Sequence, residues 1–341
     1  MSEKSSLAII ICTEPGRLEG QSLLLAESIR TFAGDLKDML IYSFHPRRGD
    51  PVSLKTIEQF EELNVIHQQI PINIKYHDYY LANKPLVCAY AENNIDVDIL
   101  VFLDSDKCVV AQPDEFLLPS SCNVRMHPEY GKGSIGSTGD QDPQDEYWQK
   151  LYKLLGVQHE IFINTPIANK RIRGYWNSGL VSVRRSAGIF SQWKDNFEKV
   201  MSQKLEPSQG NYFVEQSVLS ATLCSLYPEI SHFSDSYSYP LPLHNRLHKS
   251  SQVNRFDELI SVHYFNLFFY KDWQKTLSTL KNIDMSSAKY QWICEKIVEY
   301  DMPYKSNLHR YMLTIRRIEE RMQKFNLNFN LSGLLERIAD S

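Results

Sequence analysis

The 341-residue chain has no uncharged apolar run approaching the length that crosses a bilayer. Its first apolar stretch, Leu7–Cys12, is strand-length and has no basic leader before it. A spanning or secreted protein is therefore not expected, and a cytoplasmic one is. Cysteine is sparse, with Cys12, Cys88, Cys108, Cys122, Cys224 and Cys294 scattered and none at Cys-x-x-Cys spacing. That removes the common zinc and redox motifs and fits free thiols in a reducing compartment. Neither sign of charge dominates: 37 Lys and Arg stand against 41 Asp and Glu, net −4, so no global field draws the chain to nucleic acid. Internal repeats and low-complexity tracts are missing as well. The one glycine-rich segment, 131–139, lacks both the Walker spacing and the strand-to-helix context of a phosphate loop. With its surroundings, residues 119–146, it is expected to be a long polar loop, either an active-site flap or a surface connection.

What is present is a strand and helix alternation. Strands are expected at 7–12, 39–44, 64–70 and 99–103, with helices at 20–33, 54–63 and 80–93 between them. That order argues an α/β fold with a doubly wound, mostly parallel sheet flanked by helices. From residue 274 the pattern becomes helical, giving a catalytic domain over 1–273 and a C-terminal helical extension over 274–341. In the extension Tyr311, Ile315, Ile318, Met322 and Phe325 share one face, and Arg316, Arg317, Arg321 and Lys324 fall on the others. Such a helix packs on the catalytic domain, joins a homodimer or rests peripherally on an anionic membrane. Glu319 and Glu320 oppose the last.

The most informative stretch is Ile99-Leu-Val-Phe-Leu-Asp-Ser-Asp106. A buried strand stops in two carboxylates, Asp104 and Asp106, at the edge where open α/β sheets bind ligands. Ser105 permits the turn that lets both face one way. Hard oxygen ligands on a short loop suit Mg²⁺ or Mn²⁺ holding a diphosphate. A plain turn would also use Asp and Ser, but the short strand that follows, closed by Pro113, favours the site.

Here the chain resembles the nucleotide-sugar glycosyltransferases of the GT-A (Rossmann-like) fold, whose metal-binding Asp-x-Asp sits at such a strand end. Asn177-Ser-Gly179, running into an apolar strand, is similar to the Asn-x-Gly donor-sugar segment of these enzymes. The likeness is to the retaining family of glycogenin and the lipopolysaccharide galactosyltransferases. Glu215-Gln216, opening a helix, matches that family's acidic-Gln pair; taken alone, Glu215 is explained by helix capping. His263 matches the third metal ligand, and Lys271 the diphosphate lysine, although Lys271 lies two residues too far on and Asn266 replaces a glycine. Lys84 begins the helix before the Asp-x-Asp strand, where similar enzymes place a lysine near the donor.

The resemblance spans residues 7–273 and implies a metal-dependent hexosyltransferase using Mn²⁺ or Mg²⁺. Its donor would be a nucleotide diphosphate sugar, UDP-sugar preferred, and its acceptor a glycan, lipid or small molecule, with retention. Asp104, Asp106 and His263 would hold the metal. Thr13, Lys84, Asp104, Ser105, Gly179, Gln216 and Lys271 would bind the donor, and Asn177 and Glu215 would act at the sugar. The alternatives are a sugar nucleotidyltransferase and an inactive nucleotide-sugar-binding protein. Thr13-Glu-Pro-Gly-Arg17 is a poor match to the glycine-rich loop of the first. The second predicts missing metal ligands.

Overall fold

The computed structural model describes residues 6–302, apart from 134, 209 and 211. Its first half is the expected alternation: β1 (Leu7–Cys12), α1 (Arg17–Phe32), β2 (Leu40–His45), α2 (Leu54–Glu62), β3 (Val65–Gln69), α3 (Asn83–Asn94) and β4 (Ile99–Leu103). There follow β5 (Lys107–Val109), β6 (Val124–Pro128), α4 (Asp145–Leu155), the hairpin β7 (Phe162–Asn164) and β8 (Arg171–Arg173), and β9 (Trp176–Arg184). The chain continues through α5 (Ile189–Ser202), α6 (Val214–Leu226), β10 (Ser231–His232), β11 (Tyr239–Pro240), β12 (Ser261–His263), α7 (Trp273–Leu277) and α8 (Ala288–Glu299).

Seven strands form the central sheet in the order β10-β6-β9-β4-β1-β2-β3. All its pairings are parallel except those of β9, which runs antiparallel to both β4 and β6. Alternation along each strand divides the core. Ala8, Ile10, Leu100 and Phe102 face α3, α4, α5 and α6 on one side. Ile9, Ile11, Ile99 and Val101 face α1 and Phe60 of α2 on the other. Sheets buried on both faces produce the continuous apolar runs seen at β1 and β4.

A smaller sheet, β11-β12-β5, covers a third cluster in which Trp273 and Leu277 of α7 and Ile293 and Ile297 of α8 meet Leu24 and Cys108. The basic helix expected over 311–325 lies outside the described residues. Among the described residues no helix is long and apolar enough to cross a membrane, and all six cysteines are free thiols.

One expectation fails. Residues 119–146 are not a continuous loop, because β6 lies inside them and pairs with both β9 and β10. Val124 and Met126 are buried while Arg125 between them reaches the Glu115 carbonyl at 2.7 Å. Two apolar positions in a polar stretch are too short a period-two signal to stand out.

The start of α5 shows how the helical face is fastened. Its cap position is Gly188, which offers no side chain, so the orphan N–H groups of its first turn need another acceptor. Glu92 of α3, 5% exposed, supplies both oxygens, to Phe190 N at 3.0 Å and Ser191 N at 2.7 Å. Glu92→Ala is expected to cost about 2 kcal/mol, the value of hydrogen bonds to a buried charged group. Glu92→Gln should lose roughly half of that, and denaturant unfolding measures both.

Candidate active site

The chain leaves β1 toward β2 and β3 and returns on its other side at β4, so the carboxyl ends of β1 and β4 flank a switch point where such sheets open a crevice. A cavity of about 460 Å³ lies there. Lys84, Asp104, Ser105, Asp106, Asn177, Gln216 and His263 all line it. A second cleft of about 400 Å³, at the ends of β1 and β2, shares the walls Glu14, Arg17, Leu18 and Tyr80 with the first and adds His45, Arg47 and His77. Arg47 pairs with Glu14, which Asn83 also holds from α3, so this ion pair stands between the two spaces.

β-Pairing sets the positions of the charged groups. The β4–β9 register ends with Leu103 opposite Leu180, and Asp104 N then donates to the Gly179 carbonyl at 2.9 Å. A Cβ on Gly179 would stand 2.3 Å from Asp104 Oδ2, so only glycine lets the carboxylate lie over this backbone. Lys84 donates to Asp104 Oδ2 at 2.9 Å and to Ser178 Oγ at 3.2 Å. Burial works against the Lys84 charge, yet Asp104 and Glu215 raise its pKa above the ordinary lysine value.

Past Ser105 the chain enters β5, whose partner β12 sets His263 opposite Lys107. His263 Nε2 therefore lies 3.2 Å from Asp106 Oδ2. The other Asp106 oxygen, Oδ1, is buried without a hydrogen-bond partner. Burial opposes charge on Asp106, but His263, Lys107 and Lys84 hold it below the usual carboxylate range. Burial and Lys107 together depress the His263 pKa, against the opposing pull of Asp106. Among the described residues no three His, Cys, Asp or Glu side chains converge as a ready metal cluster. Asp106 and His263 converge as a pair, with Asp104 beside them on Lys84. An orphaned carboxylate oxygen next to an imidazole nitrogen is a donor set that fits Mg²⁺ or Mn²⁺, which take few protein ligands and complete their shell from phosphate and water.

Four sequence-selected residues sit elsewhere. The Thr13 side chain is fully buried behind the wall, donating to Ser22 Oγ at 2.8 Å and accepting from Ser43 Oγ at 2.7 Å, while its neighbours Cys12 and Glu14 face the cavity. Gly179 lies under Asp104 rather than in the lining. Glu215 points away from the cavity, accepting from Tyr79 Oη at 2.7 Å, with its pKa raised by burial. Lys271 is exposed on the turn before α7 and does not line the cavity.

Sequence reasoning missed Glu129. It follows β6 and lines the cavity, where its Oε2 accepts from Asn177 Nδ2 at 3.1 Å and Gln216 Nε2 at 2.8 Å. Both amides are oriented by backbone, with Gly179 N on Asn177 Oδ1 and Ser178 N on Gln216 Oε1, each within 3.1 Å. Burial raises the Glu129 pKa against these hydrogen bonds. An acid at the C-terminal end of a strand is the same signal that Asp104 gives, hidden here because β6 itself went unrecognised. At the mouth, Tyr80 and Tyr212 join hydroxyls at 2.6 Å.

A doubly wound sheet with paired carboxylates, an amide pair and a histidine at its switch point is the arrangement that the resemblance to GT-A glycosyltransferases implies. Residues 9–226 match the profile of the Rhodobacterales glycosyltransferase domain, and the chain belongs to that family. Among solved structures it is similar to the apo form of WbbM, a bifunctional glycosyltransferase, with a TM-score of 0.50 and 14% identity. That alignment covers 87% of this chain and 52% of WbbM, so the chain spans about half the length of that protein, and the likeness is one of fold. No curated protein gives a match.

Gly179→Ala should leave the fold intact, since Asp104 is a movable side chain, but should break its contact with Lys84. A displacement of this size at a reacting site costs on the order of 100-fold in turnover. Donor hydrolysis rates alongside a thermal melt separate the two effects.

Proposed function

We propose that the enzyme transfers a hexose from a nucleotide diphosphate sugar, with UDP-sugar the preferred donor, to a glycan or lipid-linked acceptor with retention of configuration. The observation that carries this reading is the buried, partnerless Asp106 Oδ1 beside His263 Nε2, inside the switch-point cavity and flanked by Lys84. Asp106 and His263 would hold Mn²⁺ or Mg²⁺, with Asp104 alongside. When bound, the ion supplies Lewis-acid neutralisation of the leaving diphosphate.

The chain's own groups divide the remaining work. The second cleft, at the ends of β1 and β2, takes the nucleoside in place of the buried Thr13. Lys84 brings a fixed positive charge to the diphosphate from a half-buried position in the cavity wall, where its field is less screened than at the open surface. Asn177 and Gln216 hold Glu129 toward the sugar, and the Glu129 carboxylate accepts from sugar hydroxyls. Glu215 acts from behind the wall, balancing Lys84. The family-like base position is thus withdrawn from the acceptor, which favours retention. Lys271 has no part in donor binding on this reading.

Thermal melts with UDP-, GDP-, dTDP- and CMP-sugars, each with Mn²⁺ and with chelator, test the donor. The UDP-sugar should stabilise by about 2.7 kcal/mol at a hundredfold excess over Kd, only with metal, and not in Asp106→Ala. Stabilisation that persists in chelator overturns the metal. Proton NMR of the sugar first released from a UDP-α-hexose tests the stereochemistry: the α anomer is expected, and the β anomer overturns retention.

A further inference from the structure

Eight large hydrophobic side chains are exposed among the described residues, and two of them, Tyr80 at 40% and Tyr212 at 51%, line the switch-point cavity. Both are tyrosines at its mouth. The exposed aliphatic side chains, Leu40, Leu54, Ile66, Ile74, Leu226 and Val298, line neither this cavity nor the second cleft. Nothing in the donor or metal reading calls for two aromatic rings standing out at this place.

Two bridges run side by side from the turn before α3 to the start of α6. Tyr79 Oη donates to Glu215 Oε2 at 2.7 Å behind the cavity wall, and Tyr80 Oη meets Tyr212 Oη at 2.6 Å at the mouth. The inner bridge already fastens the two elements, so the outer one is not needed to hold them together. Tyr212 is pinned although exposed. Its ring meets Phe213 edge-on with centroids 4.3 Å apart, and Tyr80 edge-on at 6.3 Å. Phe213 itself has φ +66°, a strained conformation of the kind that clusters at ligand clamps. Rings fixed before a ligand arrives lose little conformational freedom on binding it.

The chemistry of the pair selects its occupant. Two hydroxyls carry two protons, and one proton fills the gap between the oxygens. Among the described residues neither hydroxyl has another partner, so the second proton and the free lone pairs are presented at the mouth. A fitting ligand offers an apolar face to the rings and hydroxyl groups to the tyrosine oxygens. A pyranose does both, with C–H bonds on its faces and hydroxyls around its edge. An alkyl chain would desolvate the tyrosine hydroxyls without answering them, and the exposed aliphatic side chains that suit it lie elsewhere.

We infer that Tyr80 and Tyr212 form the acceptor platform, and that its occupant is a sugar ring, the end of a glycan whether free or lipid-linked. Both tyrosines line the same cavity as Asn177, Gln216 and Glu129, so a hydroxyl of that ring can face the donor sugar. The inference rests on the transfer reading above for the reaction, whereas sugar binding on the platform requires neither donor nor metal.

The test has two arms, both on the full-length protein. In the first, methyl pyranosides of the common neutral hexoses are mixed with the protein without donor or metal, and saturation-transfer NMR is read with the aromatic protons irradiated. Transfer to at least one pyranoside is expected, and its loss in Tyr212→Ala. In the second, UDP-hexose and Mn²⁺ are added, and the ratio of sugar transfer to donor hydrolysis is measured for the same pyranosides and for 1-hexanol. Tyr212→Ala should lower the ratio for a pyranoside by about tenfold, the scale of losing one aromatic anchor. Tyr212→Phe, which keeps the ring, should lower it less. Donor hydrolysis with no pyranoside bound or glycosylated overturns the platform, as does transfer to hexanol alone or a ratio unchanged in Tyr212→Ala. Pyranoside binding that depends on Tyr212, without turnover of any donor, sustains the platform and sinks the transfer reading; absence of both overturns both. Octyl and methyl glycosides of the accepted sugar separate the two sources, a lower KM for the octyl form marking a lipid-linked glycan and equal values a free one. The Tyr212→Ala loss is expected for both, and a loss confined to the octyl glycoside overturns the ring in favour of the chain.

Discussion

The site depends on one antiparallel strand, β9, in a sheet whose other strands run parallel. A parallel neighbour of β4 would bring the C-terminal end of its own strand to the crevice. β9 runs the other way, so it is the start of β9, Asn177-Ser178-Gly179, that reaches the end of β4. The contact is tight, because Asp104 donates its N–H to Gly179 and lays its carboxylate where a side chain at 179 would be. α6 is then fastened on the same strand, with Trp176 N on Ser220 Oγ at 3.1 Å and Ser178 N on Gln216 Oε1. Asp104, Asn177 and Gln216, far apart in sequence, follow from that single change of strand direction.

Charge is concentrated here in a way that does not favour stability. Asp104, Asp106, Glu129 and Glu215 stand within one region with Lys84 and Lys107, and desolvation of such groups commonly exceeds their mutual attraction. The titration directions show the balance. Burial pushes the Lys107 pKa down to about 8 despite nearby carboxylates, whereas Lys84, in direct contact with Asp104, stays charged. A stably folded chain has no need of this arrangement; in the proposed transfer, fixed charges in a poorly screened cavity would act without reorganising when a charged ligand arrives.

The architecture was legible because its signals are long and physical. β1 and β4 are buried on both faces and read as uninterrupted apolar runs. The carboxylates at the end of β4 were legible for the same reason, since an apolar strand that ends in aspartates has few neutral explanations. β6 was not legible, with only Val124 and Met126 to mark it, and Glu129 was lost with it. Direction was the other gap. Thr13 and Glu215 lie beside residues that line the cavity, but a sequence does not say which way a side chain turns at a strand end or in a first helical turn. Thr13 turns inward to Ser22 and Ser43, and Glu215 to Tyr79. Lys271 was placed by analogy of spacing, and the two extra residues carry it out onto the surface.

A last consequence concerns which parts of the site can vary. Asp106 ends the excursion from the large sheet and Lys107 begins the small one, so no loop intervenes between the carboxylate and β5. His263 sits opposite Lys107 in the β12 ladder, and Tyr264 N returns to the Asp106 carbonyl at 3.1 Å. The separation of Asp106 and His263 is therefore set by strand pairing, which tolerates little adjustment, rather than by loop conformation. The opposite rim is built differently: Gly133 comes from the segment between β6 and α4, and Tyr212 from the connection into α6. Connections of that kind accept changes of length and composition more readily than a ladder does. In the proposed transfer, the half that handles the diphosphate is thus held rigid by two sheets. On the same proposal, discrimination between acceptors would fall to the rim, where sequence can drift without moving Asp106 from His263.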